Sequence, residues 1–182
     1  KSYLNYNLVQ NNSEDLLKDT QNFIDENKST SRAIRKDSVM INEWIISSDT
    51  EFFENLSEDE SREYFKTAVE YFETRFGVEN VRYAHVHLDE TTPHMHLGIV
   101  PFDKENKLSA KRVFNRTTLL EVQENLPKFL NNRGFDIERG EQGSDKKHLD
   151  VKSFKKEMDR KLKAQELMLE EKEKMIAELT KQ

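Results

Sequence analysis

His85-Val86-His87-Leu88-Asp89-Glu90-Thr91-Thr92-Pro93-His94-Met95-His96 holds four of the chain's five histidines, and its alternation decides how the chain folds. Side chains of a strand point to opposite faces in turn, so Val81, Tyr83, His85 and His87 share one face before the gap. His94, His96, Gly98 and Val100 share one face after it. Leu88 to Pro93 then reads as the connection of a hairpin. If the two strands pair, their histidine faces lie side by side and imidazoles from both strands converge. A site of neutral imidazoles with coordination positions left over suits a divalent ion that also binds substrate, unlike a closed four-ligand structural site rich in cysteine. Which three of the four histidines bind is left open by the spacing, since His85 sits one strand repeat farther from the turn than His87. Asp89 and Glu90 place carboxylates beside the rings, where one could orient a ligand, accept a proton or hold a nucleophile.

Outward from this stretch the pattern is α+β. Residues 2–8 suggest a short strand or extended arm, and Glu14 to about Glu26 a helix with Ser13 as its N-cap. Val39 to Ser47 reads as a buried strand covered on both faces, with Trp44 in the core. Ser57-Glu58-Asp59-Glu60 is a capping box, and Phe65, Ala68, Val69, Phe72 and Phe76 form the apolar stripe of a long helix stopped by Gly77. Tyr64 and Tyr71 on that helix are candidate nucleophiles by position, but read better as surface or boundary residues. Asn80–His87 and His94–Phe102 are the paired strands. A second helix is expected to be capped by Thr118 and Glu121, kinked or split at Pro127 and ended by Gly134, with a short strand over Phe135–Glu138. Gly140–Lys147 is a polar linker in front of a helix running from Asp150 to Gln182, in which Gln165 and Lys172 interrupt a heptad-like seam. Two regions follow: residues 1–147 as the functional domain, and 148–182 as a C-terminal helix leading to a further or oligomerisation region.

Composition narrows the function. With 182 residues, 35% hydrophobic and 35% charged, the chain supports one modest core. It has no cysteine, so disulfides and thiolate ligands are excluded and a reducing, cytoplasmic setting fits. No apolar run approaches the roughly 20 residues needed to cross a bilayer. The net charge of −6 means that any nucleic-acid contact must come from local patches. Two exist. Lys28, Arg32, Arg35 and Lys36 face only Asp37, and Lys104, Lys107, Lys111, Arg112 and Arg116 face only Glu105. The second leaves directly from the end of the histidine strand, within reach of a DNA strand lying over the metal.

The segment from His87 to His96 resembles the HLDE-[ST]-TPHMH signature of plasmid mobilisation relaxases of the Mob/Pre type, the MOBV group of the HUH endonuclease superfamily. The resemblance extends through Asn5-Tyr6, Asn27-Lys28, Arg32-Ala33-Ile34-Arg35-Lys36-Asp37, Glu43-Trp44-Ile45-Ile46, Val100-Pro101-Phe102 and Gly134-Phe135, covering most of residues 1 to about 150. It implies an HUH-type antiparallel sheet with the metal site on its central hairpin. It also implies site-specific cleavage of one DNA strand at an origin of transfer, with the enzyme left on the 5′ phosphate. In that pattern His87, His94 and His96 match the metal ligands, Glu90 an active-site carboxylate and Tyr6 a tyrosine near the metal, whereas His85 is not required. Mn is the ion implied, with Zn, Ni and Co compatible with imidazole and Mg preferring oxygen. Family members also carry an upstream motif with a proposed nucleophilic histidine. This sequence starts at Lys1, so the resemblance implies an N-terminally incomplete domain with the nucleophile upstream.

The expected partner is single-stranded or hairpin origin DNA, with the C-terminal helix a candidate dimer element. The competing functions are a non-catalytic module or autorepressor that binds an origin hairpin, and a rolling-circle replication initiator of the same superfamily. A cupin-type oxygenase fits poorly, because His96 is followed by Leu97-Gly98-Ile99-Val100 and lacks the glutamate that such a site wants.

Overall fold

The computed structural model describes residues 4–9 and 15–140, together with Arg160, Lys163, Met168 and Lys172. Residues 1–140 and 141–182 form separate units. Of the second, the four described residues are helical and exposed; the rest of the expected helix, its seam, the linker after Gly140 and His148 lie outside the described residues.

The first unit is built on four antiparallel strands in the order β1-β3-β4-β2: β1 Tyr6–Asn7, β2 Asn42–Ser47, β3 Val81–His87 and β4 His94–Ile99. The histidine hairpin is therefore central. Its register pairs His87 with His94, Val86 with Met95 and His85 with His96. Helices α1 Leu16–Asn27, α2 Thr50–Glu54, α3 Glu58–Phe76, α4 Ala110–Val113 and α5 Arg116–Asn131 complete the unit. The α+β architecture expected from the pattern is the one found.

One face of the sheet packs against α3 and α5. Ala84, Val86, Met95, Leu97 and Ile99 are wholly buried there with Phe65, Ala68 and Phe72 of α3 and Val122 and Leu130 of α5. The stripe read on α3 is this buried face, and the helix starts at the expected capping box: Glu60 N–H donates to Ser57 Oγ, and Ser57 N–H to the Glu60 carboxylate. Gly77 closes it at φ +94°, a conformation open to glycine at little cost. Trp44 lies against Phe72 and Phe114 at ring distances of 5.1 and 5.7 Å, a core position as expected. Tyr64 and Tyr71 depart from the surface or boundary placement read for them: both are buried, because they lie on the core side of α3 among Phe53, Phe65, Phe72 and Phe129, and burial pushes the Tyr64 hydroxyl well above its usual range, so neither is available to attack a substrate.

Several expectations need correction. Val81 does not share a face with Tyr83, His85 and His87, because Arg82 is an extra residue between the pairs Val81–Ile99 and Tyr83–Gly98, a β-bulge. Val81 and Ile99 lie in the main core; Val100, expected on the histidine face, is buried in a second small cluster with Ile24 and Phe102. The strand read from Val39 starts only at Asn42 and is covered on one face, with Ile45 67% exposed and Val39 48%. As the edge strand it needs burial only where it meets α3. Asp15, not Ser13, accepts from Lys18 N–H to cap α1, and Asn115 accepts from Thr118 N–H to cap α5, which therefore begins earlier than read. That helix runs through Pro127 without splitting: one ladder bond is lost, while Leu126, Phe129 and Leu130 hold both flanks on the core. Phe135–Glu138 is not a strand. Asn131 satisfies Ile137 on both sides, accepting from its N–H at 2.8 Å and donating to its carbonyl at 2.9 Å, which replaces a strand neighbour.

Gly98 is the tightest point of the sheet. A Cβ there would sit 2.1 Å from the Tyr83 ring, so the two cannot coexist without moving the ring. Gly98→Ala is expected to cost about 1–3 kcal/mol, the usual range for an overpacked site, read as a lower urea midpoint with unchanged m-value.

Candidate metal centre

The other face of the sheet carries the chemistry. Antiparallel pairing of His87 with His94 and His85 with His96 turns all four rings to that side. Three of them converge: ligand nitrogens of His87, His94 and His96 lie within 4.8 Å of one another, with ring centroids 5.1–5.2 Å apart. His85 instead stacks on Tyr83 at 5.3 Å, and burial holds its pKa below the usual imidazole range.

Two of the converging rings are held at Nδ1, which leaves Nε2 as the free donor. His94 Nδ1–H donates to the Thr92 carbonyl at 3.0 Å, and His96 Nδ1–H to Glu43 Oε1 at 3.2 Å. Three partly buried imidazoles, two with a fixed lone pair, are what a borderline transition-metal ion needs, so the residues present fit the group the sequence implies.

Glu90 spans the pair across the turn, its two oxygens 4.0 Å from His87 Nδ1 and His94 Nε2. At that separation it makes no direct hydrogen bond, and it is free to face a ligand at the same point. The turn itself is pinned on both sides. Asn5 donates to Asp89 Oδ1 at 2.9 Å and accepts from Leu88 N–H at 2.9 Å, while Ser47 donates to the Pro93 carbonyl at 2.7 Å and Thr50 pairs with Thr92 at 3.0 Å. The Asn5 contact holds the Asp89 carboxyl below its usual range, so Asp89 serves the turn.

Tyr6 is not brought to this group. It pairs with Val86, a residue wholly buried on the helix face, and its ring packs against that core under the Arg62 guanidinium, 4.0 Å from the ring centre. Burial raises its hydroxyl's pKa, with Arg62 opposing. The expectation of a tyrosine beside the metal followed the Asn5-Tyr6 motif, but in a strand it is Asn5, one residue earlier, that reaches the turn. Glu43 was not singled out as a site residue. An acidic residue within an apolar strand is a usable signal, because it marks the uncovered face, and the expectation of a strand covered on both faces hides it.

The two basic segments adjoin, since Ser29 N–H donates to the Asn106 carbonyl at 2.9 Å and Ile34 and Leu108 pack in one cluster. Arg32, Arg35, Lys36, Lys107, Lys111, Arg112 and Arg116 are exposed; Lys28 is less so and pairs with Asp25. Lys107 pairs with Glu105, Arg112 with Asp103 at 2.8 Å and Arg35 with Asp37 at 3.3 Å. Among the described residues no helix is long and apolar enough to cross a membrane.

Comparison with known proteins agrees with this geometry. The family of plasmid recombination enzymes, Mob_Pre, matches residues 1–156. A plasmid recombination enzyme of Lactiplantibacillus plantarum is 53% identical over 155 residues, which are 85% of this chain and 43% of that protein. One from Streptococcus agalactiae is 47% identical over 159 residues, 87% of this chain and 32% of that protein. The chain thus spans less than half the length of these relatives. Among solved structures, a Mn-bound MobM relaxase domain (MOBV; Mob_Pre) in complex with plasmid pMV158 oriT DNA superposes with a TM-score of 0.81 at 47% identity, covering 86% of this chain and 80% of that one. By sequence match, by fold and by its histidine hairpin, the chain belongs to the Mob_Pre family of plasmid recombination enzymes.

Proposed function

We propose that residues 1–147 belong to the relaxase domain of a plasmid mobilisation protein, a metal-dependent nickase and strand transferase acting in the cytoplasm on single-stranded or hairpin origin-of-transfer DNA. The observation that carries this reading is the convergence of His87, His94 and His96 on the uncovered face of the sheet. Mn is the ion favoured, as in the related MobM domain. When bound, a divalent ion draws electron density from the scissile phosphate and offsets the negative charge that builds on its oxygens.

The chain's residues have distinct tasks in this proposal. His87, His94 and His96 hold the ion. Glu90 faces the same point and is suited to position the attacking group or take its proton. Attack forms a bond from the nucleophile to phosphorus while the bond to the 3′ oxygen breaks; that oxygen leaves with its electron pair and gains a proton. A free 3′ hydroxyl and a 5′ phospho-protein result, and the retained phosphodiester energy allows rejoining. The nucleophile is assigned to the histidine motif that the family carries upstream of Asn5-Tyr6; Tyr6 is not favoured, since it faces the core. Lys28, Arg32, Arg35, Lys36, Lys107, Lys111, Arg112 and Arg116 are proposed to hold the DNA backbone, with exposed Ile45 beside His96 as an apolar contact for a base or sugar.

Nicking of a supercoiled plasmid bearing the cognate origin, by the longer protein carrying this region, tests the proposal. Cleavage that requires Mn and leaves protein on the 5′ end supports it; hairpin binding that needs no metal and yields no cleavage favours the autorepressor module instead. Phosphate contacts have their own signature. Arg32→Ala and Lys111→Ala are each expected to weaken origin binding and to reduce the salt slope of log K by about 1, measured by fluorescence anisotropy between low and moderate salt.

A further inference from the structure

The three imidazoles are not supported alike. His94 gives its Nδ1–H to a neutral carbonyl within its own turn, whereas His96 gives its Nδ1–H to a carboxylate that comes from the neighbouring strand. His87 Nδ1 lies 4.0 Å from the Glu90 carboxylate, beyond hydrogen-bond distance.

The carboxylate behind His96 is itself held. Glu43 and Tyr83 both pair with Gly98, one from β2 and one from β3, so they flank it on either side of β4. Because Gly98 has no side chain, the Tyr83 ring lies across it, and the Tyr83 hydroxyl donates to Glu43 Oε2 at 2.8 Å. The second oxygen of the same carboxylate then receives His96 Nδ1–H at 3.2 Å. A ligand ring, a carboxylate and a phenol thus form one line across three strands, made possible by a glycine between them.

We propose that Glu43 and Tyr83 are positioning residues for the metal centre: Glu43 fixes His96 with its hydrogen on Nδ1 and strengthens Nε2 as a donor, and Tyr83 fixes Glu43. The inference rests on the metal reading given above. The physical reason is charge transfer. As Nε2 shares its lone pair with a cation the ring becomes more positive, and an anion hydrogen-bonded to the far nitrogen stabilises that change, which a carbonyl does less well. Ordering matters as well, because a ring held in one tautomer and one orientation loses less freedom when it binds. His96 is therefore the strongest of the three donors.

The test uses the 182-residue chain and measures Mn(II) binding by titration calorimetry, beside long-range nitrogen–proton NMR spectra of the histidine rings. Glu43→Gln keeps the shape and an acceptor oxygen but removes the charge. It is expected to weaken Mn(II) binding by roughly 10–100-fold while the His96 ring keeps its hydrogen on Nδ1. Tyr83→Phe should shift affinity the same way by less, and Glu43→Leu should lose affinity and the single tautomer together. Thermal midpoints without metal check that the variants fold; Glu43 is nearly half exposed, and Glu43→Gln leaves the packing in place. Wild-type affinity in Glu43→Gln, or a His96 ring with its hydrogen on Nε2, would overturn the pair while leaving the metal centre standing. Absence of Mn(II) binding by the wild-type chain would overturn the metal centre and the pair with it.

Discussion

Replacing His94 and His96 together by alanine is expected to give a folded protein that binds no divalent ion and does not nick. Both side chains lie on the face away from the helices, while their neighbours Met95 and Leu97 remain wholly buried, so the core keeps its packing. The two truncated rings are 15% and 28% exposed and each gives up its Nδ1 hydrogen bond, a loss of about 0.5–1.5 kcal/mol per bond that leaves the variant folded. The metal, by contrast, retains one protein ligand of three. A clean readout is thermal stability with and without Mn(II): at a free concentration 100 times its Kd, the ion should add about 2.7 kcal/mol to the wild-type chain and nothing to the variant. Nicking by the longer protein should fall below detection in parallel. An increment of equal size in the variant would show that the ion binds elsewhere, and unchanged nicking would show that the hairpin is not the catalytic centre.

The second large effect concerns the layer behind the site. Phe72→Ala is expected to cost about 3–5 kcal/mol, because Phe72 is fully buried and its ring meets Trp44, Tyr71 and Phe76 at 5.1–6.0 Å. Against a total stability of about 5–15 kcal/mol, that loss consumes a large part of the margin. Urea unfolding followed by the emission of Trp44, the chain's only tryptophan, measures both the loss and the loosening of the ring that Phe72 supports. A cost under about 1 kcal/mol would mean that α3 is not the support on which the hairpin rests. Mn(II) affinity in the same variant shows how far the three imidazoles depend on that support.

What could be read from the sequence follows from how local each signal is. The hairpin was legible because two H-x-H pairs at strand period declare both the face and the turn. The long helix was legible because a capping box and an apolar stripe agree on it. The α+β class followed with them, whereas the choice of His87, His94 and His96 among the four histidines rested on the family resemblance and not on the spacing, and the structure brings those three rings together. What was missed depends on partners distant in sequence. Nothing near Arg82 announces a bulge, since the extra residue is defined only by the spacing of Gly98 and Ile99 opposite. The uncovered face of β2 is set by its edge position, which period alone cannot give when Ile41, Trp44, Ile45 and Ile46 are apolar on both parities. Glu43 gained a role only when Gly98 brought Tyr83 across to it. Asn131 replaces a strand neighbour for Ile137 by a side-chain contact that propensity does not encode.

The bulge has a consequence for the proposed DNA contacts. Arg82, the surplus residue, pairs with Asp19 and lies over Phe23, 4.3 Å from its ring centre, so it grips α1 from the sheet. The Lys28–Lys36 segment follows immediately on that helix. Deleting the single codon for Arg82 would leave a regular two-stranded ladder still able to present its histidines, yet it would remove the anchor that aims the adjoining cationic arm. In the proposed reading, one surplus residue in a β-ribbon thereby couples where a polynucleotide would be gripped to where it would be cut.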